Sequence, residues 1–170
     1  RHFTVVSACG VCGKAHLDAL EVRCPSPLPE GPRLSVEQLA TLPDRMRAGQ
    51  ALFDATGGLH AAAAFDASGE AWIVREDVGR HNALDKVVGH ALLQGRSLRG
   101  GVVCVSGRAS YELLQKAVAA GVTVLAAVSA PSTLAIDVAR RFGVTLVGFV
   151  RPGRATVYSG AQRIEGLEPD

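Results

Sequence analysis

Three short runs of the chain, Val102 to Val105, Val124 to Val128 and Leu146 to Val150, contain no charged side chain. A strand that is apolar on both sides must be covered on both faces, the situation of a central strand in a parallel sheet. Between the runs the spacing changes to that of helices: Ala83, Leu84, Val87, Val88, Ala91 and Leu92 form one stripe, and Leu113, Leu114, Ala117 and Val118 form a second. Ser132 caps a third helix, which carries Leu134, Ala135, Val138 and Phe142. Gly121 and Gly143 stand where helix ends need a left-handed residue. Strands alternating with helices in this way predict right-handed crossovers and a parallel sheet.

Upstream, Leu59 to Phe65 and Ala71 to Arg75 flank Asp66-Ala67-Ser68-Gly69, whose turn chemistry predicts an antiparallel hairpin. Ser35-Val36-Glu37-Gln38 is a capping box that starts a helix, and Pro43-Asp44 reads as a second helix start. Thr156 to Tyr158 adds a short edge strand. The order is helix, hairpin, helix, strand, helix, strand, helix, strand. It predicts an α/β fold, a three-layer cytidine-deaminase-like mixed sheet with helices on both faces, preceded by a flexible cysteine loop. Residues 1–33 read as a cysteine-bearing leader with a Pro-rich linker (Cys24 to Pro32), and residues 34–170 as the α/β domain. At 170 residues, 48% of them hydrophobic and 5% aromatic, one domain with its own core is expected.

The charge balance is +2, so bulk electrostatics point to neither nucleic acid nor a membrane. Of the 18 basic residues only Lys14, Lys86 and Lys116 are lysine. Arginine suits a phosphate or carboxylate ligand, and the same bias also follows from codon usage alone. Four cysteines, Cys9, Cys12, Cys24 and Cys104, are too few for a disulfide framework, and Cys104 lies in an apolar run and reads as core. With no apolar stretch of membrane-spanning length and no secretory pattern, the expected location is cytoplasmic. The sequence begins with Arg1 and runs directly into Phe3-Thr4-Val5-Val6, so earlier residues are expected in the natural protein.

In the deaminase-like arrangement the helices after the second and third strands present their N-termini to one pocket. Deaminases place zinc ligands and a proton-carrying Glu there. Here those positions read Gly79-Arg80-His81-Asn82 and Ser106-Gly107-Arg108-Ala109-Ser110, with no Glu two residues after His81 and no cysteine pair, so no metal is expected. Two helix N-termini, Arg80, His81, Arg108 and the hydroxyls of Ser106 and Ser110 instead suit a phosphate or phosphorylated nucleotide. His60, following Thr56-Gly57-Gly58, is a further pocket candidate. Asp77 and Asp85 read equally well as surface carboxylates, and Asp85 with Lys86 as a helix-surface pair.

Ser7-Ala8-Cys9-Gly10-Val11-Cys12-Gly13-Lys14 admits three accounts: a zinc half-site with His16 and Cys24, a redox dithiol, or a sulfur-carrying nucleophile whose thiolate Lys14 favours. The motif alone does not separate them. Taken with Thr56 to Ala63, Glu76 to Lys86, Ser106-Gly107-Arg108, Ser129-Ala130-Pro131-Ser132 and Gly148 to Arg151 with Arg154, however, it resembles the formate dehydrogenase accessory sulfurtransferase family (FdhD) from Phe3 to about Tyr158.

The resemblance implies a cytoplasmic homodimer that takes persulfide sulfur from a cysteine desulfurase. It passes that sulfur to the molybdenum (or tungsten) bis(molybdopterin guanine dinucleotide) cofactor, held as a bound substrate, for use by formate dehydrogenase. Cys9 would carry the persulfide, with Cys12 assisting. Phe149, Val150, Arg151, Pro152, Gly153 and Arg154 would bind the guanine dinucleotide, alongside Gly79, Arg80, His81, Asn82, Ser106, Gly107, Arg108 and His60; GDP would mimic it. The family also has an N-terminal region ahead of the cysteine loop that is absent from this chain. The competing reading is a non-catalytic cofactor chaperone whose cysteines are structural or metal-bound.

Overall fold

The computed structural model describes residues 27–66 and 68–167. Cys9, Cys12, Lys14, His16 and Cys24, and with them the expected cysteine loop, lie outside the described residues. The chain forms α1 (Val36–Arg47), α2 (Ala51–Thr56), β1 (His60–Phe65), β2 (Ala71–Asp77), α3 (Arg80–Leu93), β3 (Val102–Val105), α4 (Tyr111–Ala119), β4 (Val124–Ala127), α5 (Thr133–Phe142), β5 (Thr145–Arg151) and β6 (Arg154–Ser159), then a 3-10 turn at Ala161–Arg163. The sheet has six strands in the order β2-β1-β3-β4-β5-β6. β3, β4 and β5 run parallel, and β1, β2 and β6 add the antiparallel pairs. This is the mixed three-layer sheet that the apolar runs predict. No helix among the described residues is long and apolar enough to cross a membrane.

Side-chain alternation sorts the core into two layers. Ala62, Ala64, Val103, Val105, Leu125, Ala127 and Leu146 face α3, α4 and α5. Ala61, Ala63, Phe65, Val102, Cys104, Val124, Ala126 and Val147 face α1, which contributes Leu39, Leu42 and Met46. Alanine dominates β1, so helices approach the sheet closely there. Cys104 is fully buried, and burial pushes its thiol up to about 12, which makes it a packing residue and not a nucleophile.

Two local expectations are corrected. Pro43 begins no helix: it lies inside α1, whose capping box at Ser35 is formed as the sequence predicts. A proline inside a helix costs about 3 kcal/mol, and burial of Leu42 and Met46, 1% and 2% exposed, contributes about 1.5–3 kcal/mol each and offsets it. The six-residue α2 has no apolar stripe that the sequence could announce. Its start is secured from a distance, by the Glu76 carboxylate accepting from the N–H groups of Leu52 and Phe53 at 2.9 and 2.7 Å.

The amino ends of the parallel strands are closed off. Residues 27–34 cross this edge, with Leu28 against the core and Leu34 bridged to Ile164. Thr145 Oγ1 donates to the Gly160 carbonyl at 2.8 Å and accepts from Arg163 Nη1 at 3.2 Å, and Arg163 Nε donates to the Glu30 carbonyl. Gly31 and Gly160 both have positive φ, and a Cβ on either would fall 2.2 or 2.4 Å from a threonine hydroxyl, so only glycine fits.

Candidate functional site

The strand register gathers the candidate segments at the opposite edge. His60 pairs with Asp77, Ala62 with Val105, Val105 with Ala127, and Arg151 with Arg154. The start of β1, the end of β2, the carboxyl ends of β3, β4 and β5, and the β5–β6 turn therefore share one rim. Carboxyl ends of strands are where α/β sheets place ligands. His60, the Gly79–Asn82 turn, the Ser106–Ser110 loop, Ser129–Ser132 and Phe149–Arg154 all stand there.

The start of α3 is held rigidly. Asp77 accepts from the Gly79 N–H at 2.9 Å, from Asn82 Nδ2 at 3.0 Å and from Lys86 Nζ at 2.6 Å. The Lys86 bond first, then those from Gly79 and Asn82, pull the Asp77 carboxyl down to about 2. Lys86 also donates to the Glu76 carbonyl, and Asp85 pairs with Lys116, so Asp85 and Lys86 are not partners of each other. Asn82 thus serves the turn.

The starts of α3 and α4 are tied together. His81 Nε2 lies 3.0 Å from Ser110 Oγ and 3.2 Å from Glu112 Oε2. Burial, and then the neighbouring Arg80 charge, hold the His81 imidazole below its ordinary pKa, while Glu112 opposes them. Ser110 is the N-cap residue of α4, yet its hydroxyl does not cap the helix, and Gly79 brings no capping side chain to α3. By contrast, α1 and α5 are capped by Ser35 and Ser132. Of the helix starts at the rim, that of α5 is capped by Ser132, while those of α3 and α4 lack a side-chain cap, and their first-turn N–H groups and positive dipole ends favour an anion.

Ser106 Oγ accepts from the Ala61 N–H at 2.9 Å and lies 3.4 Å from His60 Nδ1. Gly107 is the contact point of the two loops: a Cβ there would lie 3.1 Å from Arg80 Cδ and 3.4 Å from His60 Nδ1. Arg80 Nε is buried and has no hydrogen-bond partner among the described residues. Buried donors are rarely left so, and this one marks a place for an acceptor. Arg108, Arg151 and Arg154 are exposed and likewise unpaired among the described residues. The donors named from the sequence therefore divide. His81, Asn82, Ser106 and Ser110 hold the loops to one another, and the four arginines are left without partners among the described residues.

The β5 end carries the single strained side-chain-bearing residue of the described backbone, Phe149 at φ +53°, 38% exposed. Its N–H donates to the Ser129 carbonyl at 3.3 Å, and the β5–β6 register shifts between Gly148 and Arg151. Such a bulge re-aims side chains at a sheet rim. A cavity of about 580 Å³, lined by residues of α1 and α2, reaches His60, Ser106 and Val128. Sequence reasoning missed Glu112 and the structural role of Asp77. An Asp two residues before a glycine at a helix start is a signal that could have found Asp77; Glu112 had none.

The sequence model of the FdhD/NarQ family matches residues 1–165. The sulfur carrier protein FdhD of Streptomyces coelicolor is 56% identical over 167 residues, covering 96% of this chain and 59% of that protein. Its namesake in Nocardia farcinica is 53% identical over 169 residues (98% and 61%), and that of Sulfolobus acidocaldarius 44% over 167 (97% and 64%). The chain thus spans about three fifths of the length of these curated relatives. Among solved structures, a formate dehydrogenase accessory protein from Desulfotalea psychrophila superposes with a TM-score of 0.77 at 29% identity, over 89% of this chain and 62% of that one.

Proposed function

The chain belongs to the FdhD/NarQ family, and from that premise we propose that it is the working core of a cytoplasmic sulfur carrier in formate dehydrogenase maturation. Cys9 is the carrier. Its thiolate attacks the outer sulfur of a cysteine desulfurase persulfide; the new S–S bond forms as the donor's cysteine thiolate leaves, with no net oxidation. Delivery as sulfide needs two electrons, and Cys12 supplies them. Its thiolate attacks Cys9 Sγ, a Cys9–Cys12 disulfide forms, and the sulfane sulfur departs reduced. The acceptor is the molybdenum bis(molybdopterin guanine dinucleotide) substrate, and a homodimer presents two such sites.

The observation that carries this reading is the buried Arg80 Nε with no described partner, in a rim where the starts of α3 and α4 both lack a side-chain cap. That donor set fits the phosphates of a nucleotide-bearing substrate. Arg80 and Arg108 would hold phosphate, and the Phe149–Arg154 turn would close on the nucleotide. His81 remains neutral and keeps the two helix starts in register. Cys104, deeply buried with its pKa raised, leaves sulfur chemistry to the leader cysteines.

Mass spectrometry after incubation with a desulfurase and cysteine tests the proposal: a gain of one sulfur on Cys9 is expected, absent in Cys9→Ala. A chaperone without chemistry would show no gain and would still activate the dehydrogenase when both Cys9 and Cys12 are replaced.

A further inference from the structure

A histidine acts as a base through the ring nitrogen that carries a lone pair, and the bond made by the other nitrogen decides which one that is. Three histidines lie among the described residues. At His90, Nδ1 lies 2.8 Å from Arg75 Nη2; a guanidinium only donates, so that lone pair is spent. At His60, Nδ1 lies 3.4 Å from the Ser106 hydroxyl, which can donate or accept, so the tautomer is not fixed. His81 differs from both. Its Nε2 lies 3.2 Å from Glu112 Oε2, and a carboxylate only accepts, so Nε2 carries the hydrogen and Nδ1 the lone pair. Ser110 Oγ, 3.0 Å from the same Nε2, steadies the ring. Nδ1 itself has no partner among the described residues and, in contrast to Arg80 Nε, is not sealed from solvent. The charged groups around the ring are Arg80 and Asp85 on α3 and Glu112 and Lys116 on α4, one of each sign from each helix. Burial and Arg80 prevail among these influences and keep the imidazole neutral near pH 7, as a base must be.

We infer that His81 is the proton relay of the delivery step, its Nδ1 taking the thiol proton of Cys12 and handing it to the departing sulfur, with Glu112 as the positioning residue that fixes the tautomer. The inference rests on the sulfur-carrier reading above and adds the group that moves the proton. Delivery needs such a group twice. A free cysteine has a pKa of about 8.5, so Cys12 must lose a proton before it attacks at neutral pH. The outer sulfur of the Cys9 persulfide is anionic, and expelled without a proton it would leave as a dianion, a poor leaving group. One imidazole answers both demands. The Cys12 proton passes to Nδ1 and the Cys12–Cys9 S–S bond forms. The bond from Cys9 Sγ to the outer sulfur breaks, its electron pair leaving with that sulfur, and the imidazolium returns the proton so that hydrosulfide departs. The two cysteines are oxidised to a disulfide, the sulfane sulfur is reduced by two electrons, and His81 ends as it began. His81 is the second residue of α3, beside Arg80, so the base stands on the rim where the acceptor is held.

The test loads the full chain with sulfur from a cysteine desulfurase and cysteine, removes the donor, and follows hydrosulfide release and Cys9–Cys12 disulfide formation in a single turnover between pH 8 and 5. The wild-type rate should fall as the pH drops through the His81 value, which lies below the ordinary 6.5. His81→Gln should be slower by about tenfold or more at pH 7 and lack that inflection, and Glu112→Gln should be slowed less. Added imidazole should restore the rate of His81→Ala, a rescue that a merely structural role would not show. Cyanide, which takes the outer sulfur directly and needs no thiol proton, should release as much thiocyanate from each variant as from the wild type, reporting intact loading and fold. A wild-type rate and profile in His81→Gln, or a slow His81→Ala that imidazole leaves slow, would overturn the relay while the sulfur-carrier reading stands. If neither His81 variant folds, the wild type decides, because a profile with no inflection below pH 6.5 overturns the relay by itself. A wild type that takes up sulfur but forms no disulfide removes the step and the relay with it. A wild type that takes up no sulfur overturns the relay and the sulfur-carrier reading together.

Discussion

The two ends of the parallel strands each carry a set of short loops, and the two sets differ in what is left over. At the amino edge Thr123 and Thr145 are fully buried, Thr145 is bonded on both sides, and Arg163 spends its guanidinium on the carbonyls of Glu30 and Gly143. At the carboxyl edge a buried arginine nitrogen has no described partner, two helix starts are uncapped and one phenylalanine is in left-handed backbone. One edge satisfies its polar groups internally, and the other reserves them. The difference gives the two edges of one sheet different amounts of unspent hydrogen-bonding capacity.

The largest effect that distinguishes the edges is expected from Gly160→Ala. Its Cβ would lie 2.4 Å from Thr145 Oγ1 and 2.7 Å from Thr145 Cα, at φ +70°. Overpacking against backbone and a left-handed alanine together should remove about 3 kcal/mol of stability in thermal unfolding, while the folded fraction binds GDP normally. A change below about 1 kcal/mol would show that the amino edge yields more readily than its packing implies.

Arg80→Ala inverts that pattern. Losing a charge-assisted contact should weaken GDP by about 1.5–3 kcal/mol in calorimetry, with the melting temperature unchanged or slightly raised because an unpaired buried donor is gone. A marked fall in stability with intact binding would make Arg80 structural and erase the contrast.

The smallest effect is in pH dependence. His81 titrates below its ordinary 6.5 because burial and Arg80 oppose its charge. Its contribution to stability is therefore complete above pH 6.5 and is lost as the pH falls through the depressed folded-state value. Denaturant unfolding between pH 7 and 5 should show this loss in the wild type and a flatter profile in His81→Gln. Identical profiles would mean that the tie between α3 and α4 does not depend on a neutral imidazole.

Much of the fold was legible in the chain. The continuous apolar runs named β3, β4 and β5, and Ser132 with Gly143 bounded α5, because burial on two faces and helix capping are local demands on residue type. Pro43 misled, since a local rule says that proline starts helices, whereas the sheet contact of Leu42 and Met46 decides where α1 continues. The six residues of α2 were invisible because their cap, Glu76, comes from a strand more than twenty positions away. For the site, the glycines and arginines of the two rim loops stood out, while their division of labour did not. Ser110 and Asn82 read as ligand donors, and instead Ser110 holds His81 and Asn82 holds Asp77.

By itself, then, the sequence determined the layer order, the strands buried on both faces, the family to which the chain belongs and the set of residue types at the rim, because periodicity, capping and motif are written in neighbouring positions. Only the tertiary structure decided which of those polar groups are already satisfied. Hydrogen-bond satisfaction is a property of distances between strands and helices far apart in the chain, and it is this that leaves Arg80 Nε unpaired among the described residues while its neighbours are spent on holding the loops together.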